Sequence, residues 1–479
     1  MSSSQIGIYG LGVMGRNLAL NFESKGYTVS IYNRDAPGEK FVVDEFIAFE
    51  GLGKKFYGAP TVEKFVQSLE SPRKILMMVK AGDPVDMVIE ELLPYLDEND
   101  ILIDGGNSNY TDSTRRVKYL NEKNILFVGM GVSGGEEGAR NGPSLMPGGN
   151  KKAWKEIEPM LKAIAAKAFD GSPCCAWMGD EGAGHLVKMI HNGIEYADMQ
   201  MISEAYHIMK SLLGMNSNKM AKTFSEWTET ELDSYLIEIT SEILLVKDHD
   251  GFPLVDKILD AAGQKGTGKW TAISSLELGI PLPVITQAVY ARFSSSMTEL
   301  RRECANRVKN PALYSENDRE RVLHSLAQAL YASRMVAYAE GFHLISETGK
   351  AYKWNIDTAS IAQIWQGGCI IRSELLKEIQ KAYVTDITLK HLFLSAFYTS
   401  TFGKLIDGWR STVALAIKEG IPIPAMSAAI SQFDTLRSEK LPANLIQAQR
   451  DYFGAHTYER TDRLRGKFFH TEWINKNDN

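Results

Sequence analysis

A lysine, a histidine, an asparagine, a glutamate and a tyrosine recur at helical spacing in GAGHLVKMIHNGIEYADMQMISEAYHIMK, which reads as one long helix from about Gly182. With Lys188 at zero and ~100° per residue, His191 falls near about -60°, Asn192 near about 40°, Glu195 near about -20° and Tyr196 near about 80°. Leu186, Val187, Met189, Ile190, Ile194 and Ala197 take the opposite side, so one face packs and the other carries proton-transfer groups. Lys188 and Glu195 stand seven residues apart, ~10 Å along the axis, and can reach opposite ends of a small bound molecule. The plain alternative is a solvated helix face with an inconsequential charge pair. His191, Asn192 and Tyr196 are odd choices for such a face.

Two glycine-rich segments offer places for anions. GVSGGEEGARNGPSLMPGG runs from Gly131 to Gly149 after a strand pattern. Its Ser133, Gly134 and Gly135 can turn free backbone N–H groups toward a carboxylate, although an ordinary turn has the same composition. AAGQKGTGKW sets Lys265 and Thr267 among glycines, and Gly263, Gly268 and Lys269 nearly fit a phosphate loop. Trp270 replaces the hydroxyl that would bind magnesium, and the preceding LVDKILDAAG looks helical rather than extended. A nucleotide triphosphatase or kinase is therefore a poor reading, while anion binding by Lys265 and Thr267 survives.

The elements that must position these groups begin at the N-terminus. Gln5 to Gly10 reads as a buried strand, and GLGVMG follows with Gly10, Gly12 and Gly15 in a G-x-G-x-x-G pattern around Leu11, Val13 and Met14. RNLALNFESKG continues as a helix and YTVSIYNRD as a second strand, the order that seats a dinucleotide pyrophosphate on a helix N-terminus. KILMMVK, DILIDGGN and ILFVGMGVSGG add strands, which predicts a doubly wound parallel sheet with helices on both faces. At the end of the second strand stand Asn33 and Arg34. Arg34 attracts a 2'-phosphate, where an NAD site usually carries an acid. NADP is the expected cofactor, with Asp35 opposing that preference.

From about Gly182 onward the pattern is helical, and it repeats. GIPLPVITQAV at Gly279 recurs as GIPIPAMSAAI at Gly420, 141 residues later, and Trp227 recurs as Trp365, 138 residues later. This predicts a duplicated helical unit. After Leu441 comes a helical start and a polar, aromatic-rich tail, either disordered or docked on a partner chain, with its aromatics favouring docking. The expected division is a dinucleotide-binding domain over 1–181, an all-helical substrate and dimerisation domain over 182–440, and a tail over 441–479.

The four cysteines, Cys174, Cys175, Cys304 and Cys369, form no C-x-x-C pair and read as buried thiols of a reducing cytosol. A net charge of -6 gives no overall attraction to nucleic acid or anionic membrane. No apolar run nears the ~18 residues of a membrane span, and no signal peptide is evident, so a cytoplasmic protein is expected. No metal-ligand spacing is evident.

GLGVMG, NRD, MMVKAG, DGGNS, GVSGGEEGA, GHLVKMIHNGIEY, KGTGKW and QRDYFGAHTYER together resemble the 6-phosphogluconate dehydrogenase family, over essentially the whole chain. The resemblance implies NADP-dependent oxidative decarboxylation of 6-phosphogluconate without a metal, in a homodimer whose C-terminal tail enters the neighbouring subunit. It implies Lys188 as general base and Glu195 as general acid. Ser133, Gly134, Gly135, His191 and Asn192 would hold the sugar acid, and Tyr196, Lys265, Thr267 and Arg292 its phosphate. Arg450 and His456 would come from the partner's tail. Asn33, Arg34, Asp35, Val79, Lys80, Ala81 and Asn107 would lie near the cofactor, Asn107 also reaching substrate. Asp35 departs from the Thr or Ser that the family often has there. The competing readings are another β-hydroxy acid dehydrogenase of the same superfamily and an inactive NADP-binding sensor. A substrate comparison separates the first, and turnover the second.

Overall fold

A computed structural model describes residues 3–34, 39–308 and 318–473, so Asp35 lies outside the described residues. By internal contacts the chain forms two compact units, Met1–Ala429 and Ile430–Asn479. The first unit opens with seven strands: β1 Ile6–Tyr9, β2 Val29–Tyr32, β3 Phe56–Gly58, β4 Lys74–Met77, β5 Ile101–Asp104, β6 Leu126–Ser133 and β7 Ser144–Gly149. Their order is β3-β2-β1-β4-β5-β6-β7. Every pairing is parallel except that of β6 with β7. The strands β1, β5 and β6 are buried along their whole length, as expected when helices cover both faces of a sheet. Strand order reverses between β1 and β4, which opens the crevice where such sheets bind ligands.

Two strands depart from the sequence reading. β3 is only three residues long, too short to show alternation. β7 occupies SLMPGG, read above as part of a glycine-dense loop, and runs back antiparallel along β6. Pro147 and two glycines hide it from pattern reading. It is held by β6 and by Cys174, whose carbonyl accepts from the Leu145 N–H at 2.9 Å. The reading of LVDKILDAAG also fails, since only Leu254–Lys257 makes a single 3-10 turn. Three cysteines are buried as expected, but Cys304 is exposed.

The helical part of the first unit shows the duplication. Helices Ala183–Ser211, Ser217–Trp227, Tyr235–Leu245, Thr267–Leu278 and Pro283–Ser296 are followed by Arg319–Tyr352, Thr358–Ile364, Leu375–Thr385, Ala396–Lys418 and the start of Pro424–Arg437, the helix in which the first unit ends. The two long helices, of 29 and 34 residues, pack on each other and are tied by a buried ion pair, Arg334 Nε to Asp198 Oδ1 at 2.8 Å. The copies meet at Ser234, which forms a β-bridge with Ser373 of the second copy.

Each long helix also caps the other copy's last helix. Glu204 accepts from the Ala425 and Met426 N–H groups at 2.8 and 2.9 Å. Glu340 accepts from those of Val284 and Ile285 at 3.0 and 3.2 Å. Proline begins both capped helices, and the next N–H groups are among those a helix cannot satisfy itself. Burial pushes both carboxyls up, Glu204 to about 7 and Glu340 to about 8. No helix among the described residues is long and apolar enough to cross a membrane.

In the second unit, helix Ala443–Gly454 precedes a two-stranded hairpin, β8 Tyr458–Glu459 with β9 Phe468–Phe469. Asp451, fully buried, organises it. Its carboxylate accepts from the Thr457 N–H, the Thr471 N–H, Trp473 Nε1 and His470 Nδ1, all at 2.9–3.0 Å. Burial opposes its ionisation, but these donors prevail and hold its carboxyl down at about 2.

Replacing Glu340 or Glu204 with Ala leaves two buried N–H groups without an acceptor. Each variant is expected to lose about 2–4 kcal/mol of stability in urea unfolding.

Candidate active site

The glycine turn fits a dinucleotide. Gly10 takes φ +102, and a Cβ on Gly15 would lie 2.0 Å from the Gly10 carbonyl oxygen, so turn and helix Val13–Ser24 close tightly. A Cβ on Gly12 would meet nothing within 4 Å, which leaves the backbone open to a pyrophosphate. Leu11 is buried, Met14 partly buried and Val13 exposed. Asn33 Oδ1 accepts from the Leu11 N–H at 2.9 Å and so joins the end of β2 to the turn. Arg34 is exposed there and pairs with Glu39 at 3.6 Å. Val79, Lys80 and Ala81 follow β4, and Asn107 follows β5, with Lys80 and Asn107 exposed. All these lie at the C-terminal ends of their strands, the edge that binds ligands in doubly wound sheets.

The long helix Ala183–Ser211 is seated on β6 and β7 by missing side chains. A Cβ on Gly184 would stand 2.2 Å from the Gly129 carbonyl oxygen and 2.4 Å from that of Met146. One on Gly131 would stand 2.3 Å from the Cβ of Lys188. Lys188 is thereby pressed beside the end of β6, where it is only 5% exposed. The polar face that the sequence left open to solvent or substrate is largely buried: His191 is wholly so, Tyr196 nearly so, and Asn192 and Glu195 are partly exposed. Helices Thr267–Leu278 and Pro283–Ser296 cover it, which periodicity within one helix cannot reveal.

Hydrogen bonds run from the sheet across this face. Ser133 Oγ lies 3.1 Å from His191 Nε2, His191 Nδ1 lies 3.0 Å from Asn192 Oδ1, and Asn192 Nδ2 donates to Thr267 Oγ1 at 3.2 Å. Asn192 Oδ1 can only accept, so these partners place the imidazole proton on Nδ1 and let Ser133 donate to Nε2. Lys188 Nζ stands 3.4 Å from His191 Nδ1, and Glu195 Oε2 4.0 Å from it.

Electrostatics favour neutral groups. Burial draws Lys188 below the usual lysine range, against the opposing pull of Glu195 and Cys369. Burial, then the Lys188 charge, drives His191 well down. Burial pushes Glu195 up, while Lys188 and Arg292 pull the other way. Burial thus biases the amine toward the form that can take a proton and the carboxyl toward the form that can give one.

At the C-terminal end of this face the Arg292 guanidinium stacks 3.5 Å over the Tyr196 ring. Arg292 Nη1 donates to the Gly263 carbonyl at 3.1 Å, which fastens the loop carrying Lys265. Gly268 abuts the Tyr196 ring, and Thr267 opens helix Thr267–Leu278 behind Gly266 at φ +96. Tyr196, Thr267 and Arg292 thus come together, with exposed Lys265 on the adjoining loop. Ser133 ends β6, followed by Gly134 at φ +113 and Gly135 at φ +63. Arg450 and His456 belong to the separate Ile430–Asn479 unit, where both are exposed; Arg450 donates to Gln447 and His456 packs on Phe453. The sequence reading missed Cys369, whose charge would act on Lys188, and Trp365 against His191. The tryptophan's only sequence signal was its place in the repeat.

A glycine-turn sheet joined to a helical unit that buries a lysine and a histidine beside a half-buried glutamate defines a dinucleotide-binding protein of the dehydrogenase class. The chain belongs to the 6-phosphogluconate dehydrogenase family. The model of the NAD binding domain of 6-phosphogluconate dehydrogenase matches residues 5–179, and that of the 6-phosphogluconate dehydrogenase C-terminal domain matches 184–473. Decarboxylating 6-phosphogluconate dehydrogenase of Haemophilus influenzae is 51% identical over 99% of this chain and 97% of its own length. The Homo sapiens enzyme is 50% identical over 99% and 97%. The structure of Plasmodium falciparum 6-phosphogluconate dehydrogenase, described as apo, with its cofactor NADP+ and with its substrate 6-phosphogluconate, superposes with a TM-score of 0.94. It shares 42% identity over 98% of this chain and 100% of that one.

Gly131→Ala is expected to force helix and strand apart at Lys188. It should cost about 1–3 kcal/mol in thermal or urea unfolding and, as water enters, move the Lys188 titration back up toward the ordinary lysine range, read from the pH dependence of its acylation.

Proposed function

We propose that this chain is an NADP-dependent 6-phosphogluconate dehydrogenase, which oxidises 6-phosphogluconate at C3 and releases carbon dioxide to give ribulose 5-phosphate and NADPH. What carries the reading is the largely buried Ser133–His191–Asn192–Thr267 run flanked by Lys188 and Glu195. It lies in a chain about half identical, end to end, to decarboxylating enzymes of this name.

Gly10, Leu11, Gly12, Val13, Met14 and Gly15 hold the pyrophosphate, Asn33 and Arg34 the adenosine end, with Asp35 next in sequence, and Val79, Lys80, Ala81 and Asn107 lie near the cofactor. Bound NADP supplies the hydride acceptor. Ser133, Gly134, Gly135, Asn107, His191 and Asn192 hold the sugar acid's carboxylate and hydroxyls. Tyr196, Lys265, Thr267 and Arg292 hold its phosphate. Neutral Lys188 takes the C3 hydroxyl proton as C3 is oxidised. The resulting ammonium then faces the C3 oxygen and stabilises the negative charge that develops there as carbon dioxide leaves. Glu195 gives its proton to C1 of the enediol. The ammonium does the polarising, so the scheme requires no metal ion.

The working form is a cytoplasmic homodimer in which Arg450 and His456 of each C-terminal unit complete the neighbouring site. The domain limits that go with this reading are 1–181, 182–440 and 441–479.

In EDTA-containing buffer with 6-phosphogluconate and NADP, reduced cofactor and carbon dioxide are expected in equal amounts. Reduced cofactor alone would point to a simple hydroxy acid dehydrogenase, and neither product to an inactive sensor. Lys188→Met should lower kcat at least about a thousandfold. Activity rises with pH as Lys188 loses its proton and falls as Glu195 loses its own. A lowered lysine and a raised glutamate bring these limbs together, so the kcat/KM profile should be narrower than ordinary lysine and glutamate side chains would give.

Glu39 accepts from Asn33 Nδ2 at 3.1 Å and pairs with Arg34, and so competes with a 2'-phosphate for that guanidinium. Glu39→Gln is expected to tighten NADP binding about two- to fivefold, the scale of an exposed ion pair. NAD binding, followed by the same fluorescence titration, should not change.

A further inference from the structure

The repeat places Trp227 and Trp365 at equivalent positions, yet the two touch different things. Trp227 packs on Phe224 with ring centroids 5.1 Å apart. Trp365, fully buried, meets the His191 imidazole in a T-shaped contact, with centroids 5.5 Å apart and planes at 77°. Phe342 packs on the same indole at 5.3 Å. His191 is the ring that touches Ser133, Asn192 and Lys188 together.

The turn that follows Trp365 is built into the same site. The Gly368 carbonyl oxygen lies 2.6 Å from where a Cβ on Gly134 would stand, and it accepts from the Ser144 N–H at 2.8 Å. Ser144 Oγ donates to the Ile364 carbonyl at 2.6 Å, and Cys369 Sγ donates to that of Trp365 at 3.1 Å. The residues flanking Trp365 are therefore anchored to β7 and packed on the loop after Ser133. A tryptophan that only filled the core would serve as well against any apolar neighbour. This one is set against the one imidazole of the polar run.

We infer that Trp365 is a positioning residue for the reaction: its indole fixes the plane of the His191 ring, so that Nε2 faces Ser133 while Nδ1 faces Asn192 and Lys188. Hydrogen bonds at both ring nitrogens set direction but leave the ring free to rock, and an edge-to-face aromatic contact limits that motion. The inference rests on the dehydrogenase reading and extends it. The second copy of the duplicated unit supplies the rigid backing for a polar face carried on the first.

The test is a double-mutant cycle on the full-length protein, with wild type, Trp365→Phe, His191→Asn and the double variant, and Trp227→Phe as the structural control. KM for 6-phosphogluconate and kcat are measured at saturating NADP, and NADP Kd by fluorescence titration. Trp365→Phe is expected to raise KM about five- to tenfold, the scale of one lost aromatic pair, with NADP Kd unchanged. In the His191→Asn background the same change should move KM less than about twofold. Trp227→Phe should lower Tm and leave KM alone. If Trp365→Phe is not recovered folded, Trp365→Tyr takes its place in the same cycle. An equal effect of the Trp365 substitution with and without His191, or a folded variant with wild-type KM, overturns the inference. A wild-type protein that binds NADP but does not turn over 6-phosphogluconate overturns the substrate assignment and this inference with it, an outcome no variant could mimic.

Discussion

The site depends on one steric constraint: helix Ala183–Ser211 must lie directly on the backbone of β6 and β7. Gly184 allows the helix to touch the carbonyl oxygens of Gly129 and Met146, and Gly131 leaves room for the stem of Lys188. Water cannot enter so close a contact, and the same closeness makes the lysine poorly solvated. Packing geometry and reactivity thus have one origin. Any side chain that widened the contact would hydrate the amine before it broke the fold.

The polar run from Ser133 to Thr267 exists because three elements converge on that helix face. β6 brings Ser133, the long helix brings His191 and Asn192, and helix Thr267–Leu278 brings Thr267. Each link is an ordinary hydrogen bond, modest by itself in water. Joined end to end in a largely buried setting, the links fix which way each donor points.

Much of this was legible in the sequence. The glycine turn, five of the seven strands and the long reactive helix could be read from local pattern, and the duplication from its repeated Gly-Ile-Pro landmarks. The failures share a cause. β7 carries turn residues and is a strand only because β6 is there to pair with it. LVDKILDAAG has a helical look but little to pack on beyond one turn, and Ile258 and Leu259 are left exposed. The polar helix face was placed correctly, but periodicity says nothing about a second layer, so its burial could not be foreseen. The tail was weighed as disordered or docked. Within its own unit it is ordered around Asp451, a residue whose part emerges only once the hairpin brings Thr471 and Trp473 back to it.

The crossed caps carry a lesson about ancestry. Glu204 lies in the first copy and ties down the last helix of the second, whereas Glu340 does the reverse. A gene fragment encoding either copy by itself would yield a chain with an unsatisfied helix end and a stranded buried carboxylate. Two such fragments supplied together would restore both. The halves are therefore complementary parts rather than autonomous modules. The interlocking fits an origin in which two identical copies first exchanged these contacts between separate chains, and fusion later made the exchange internal.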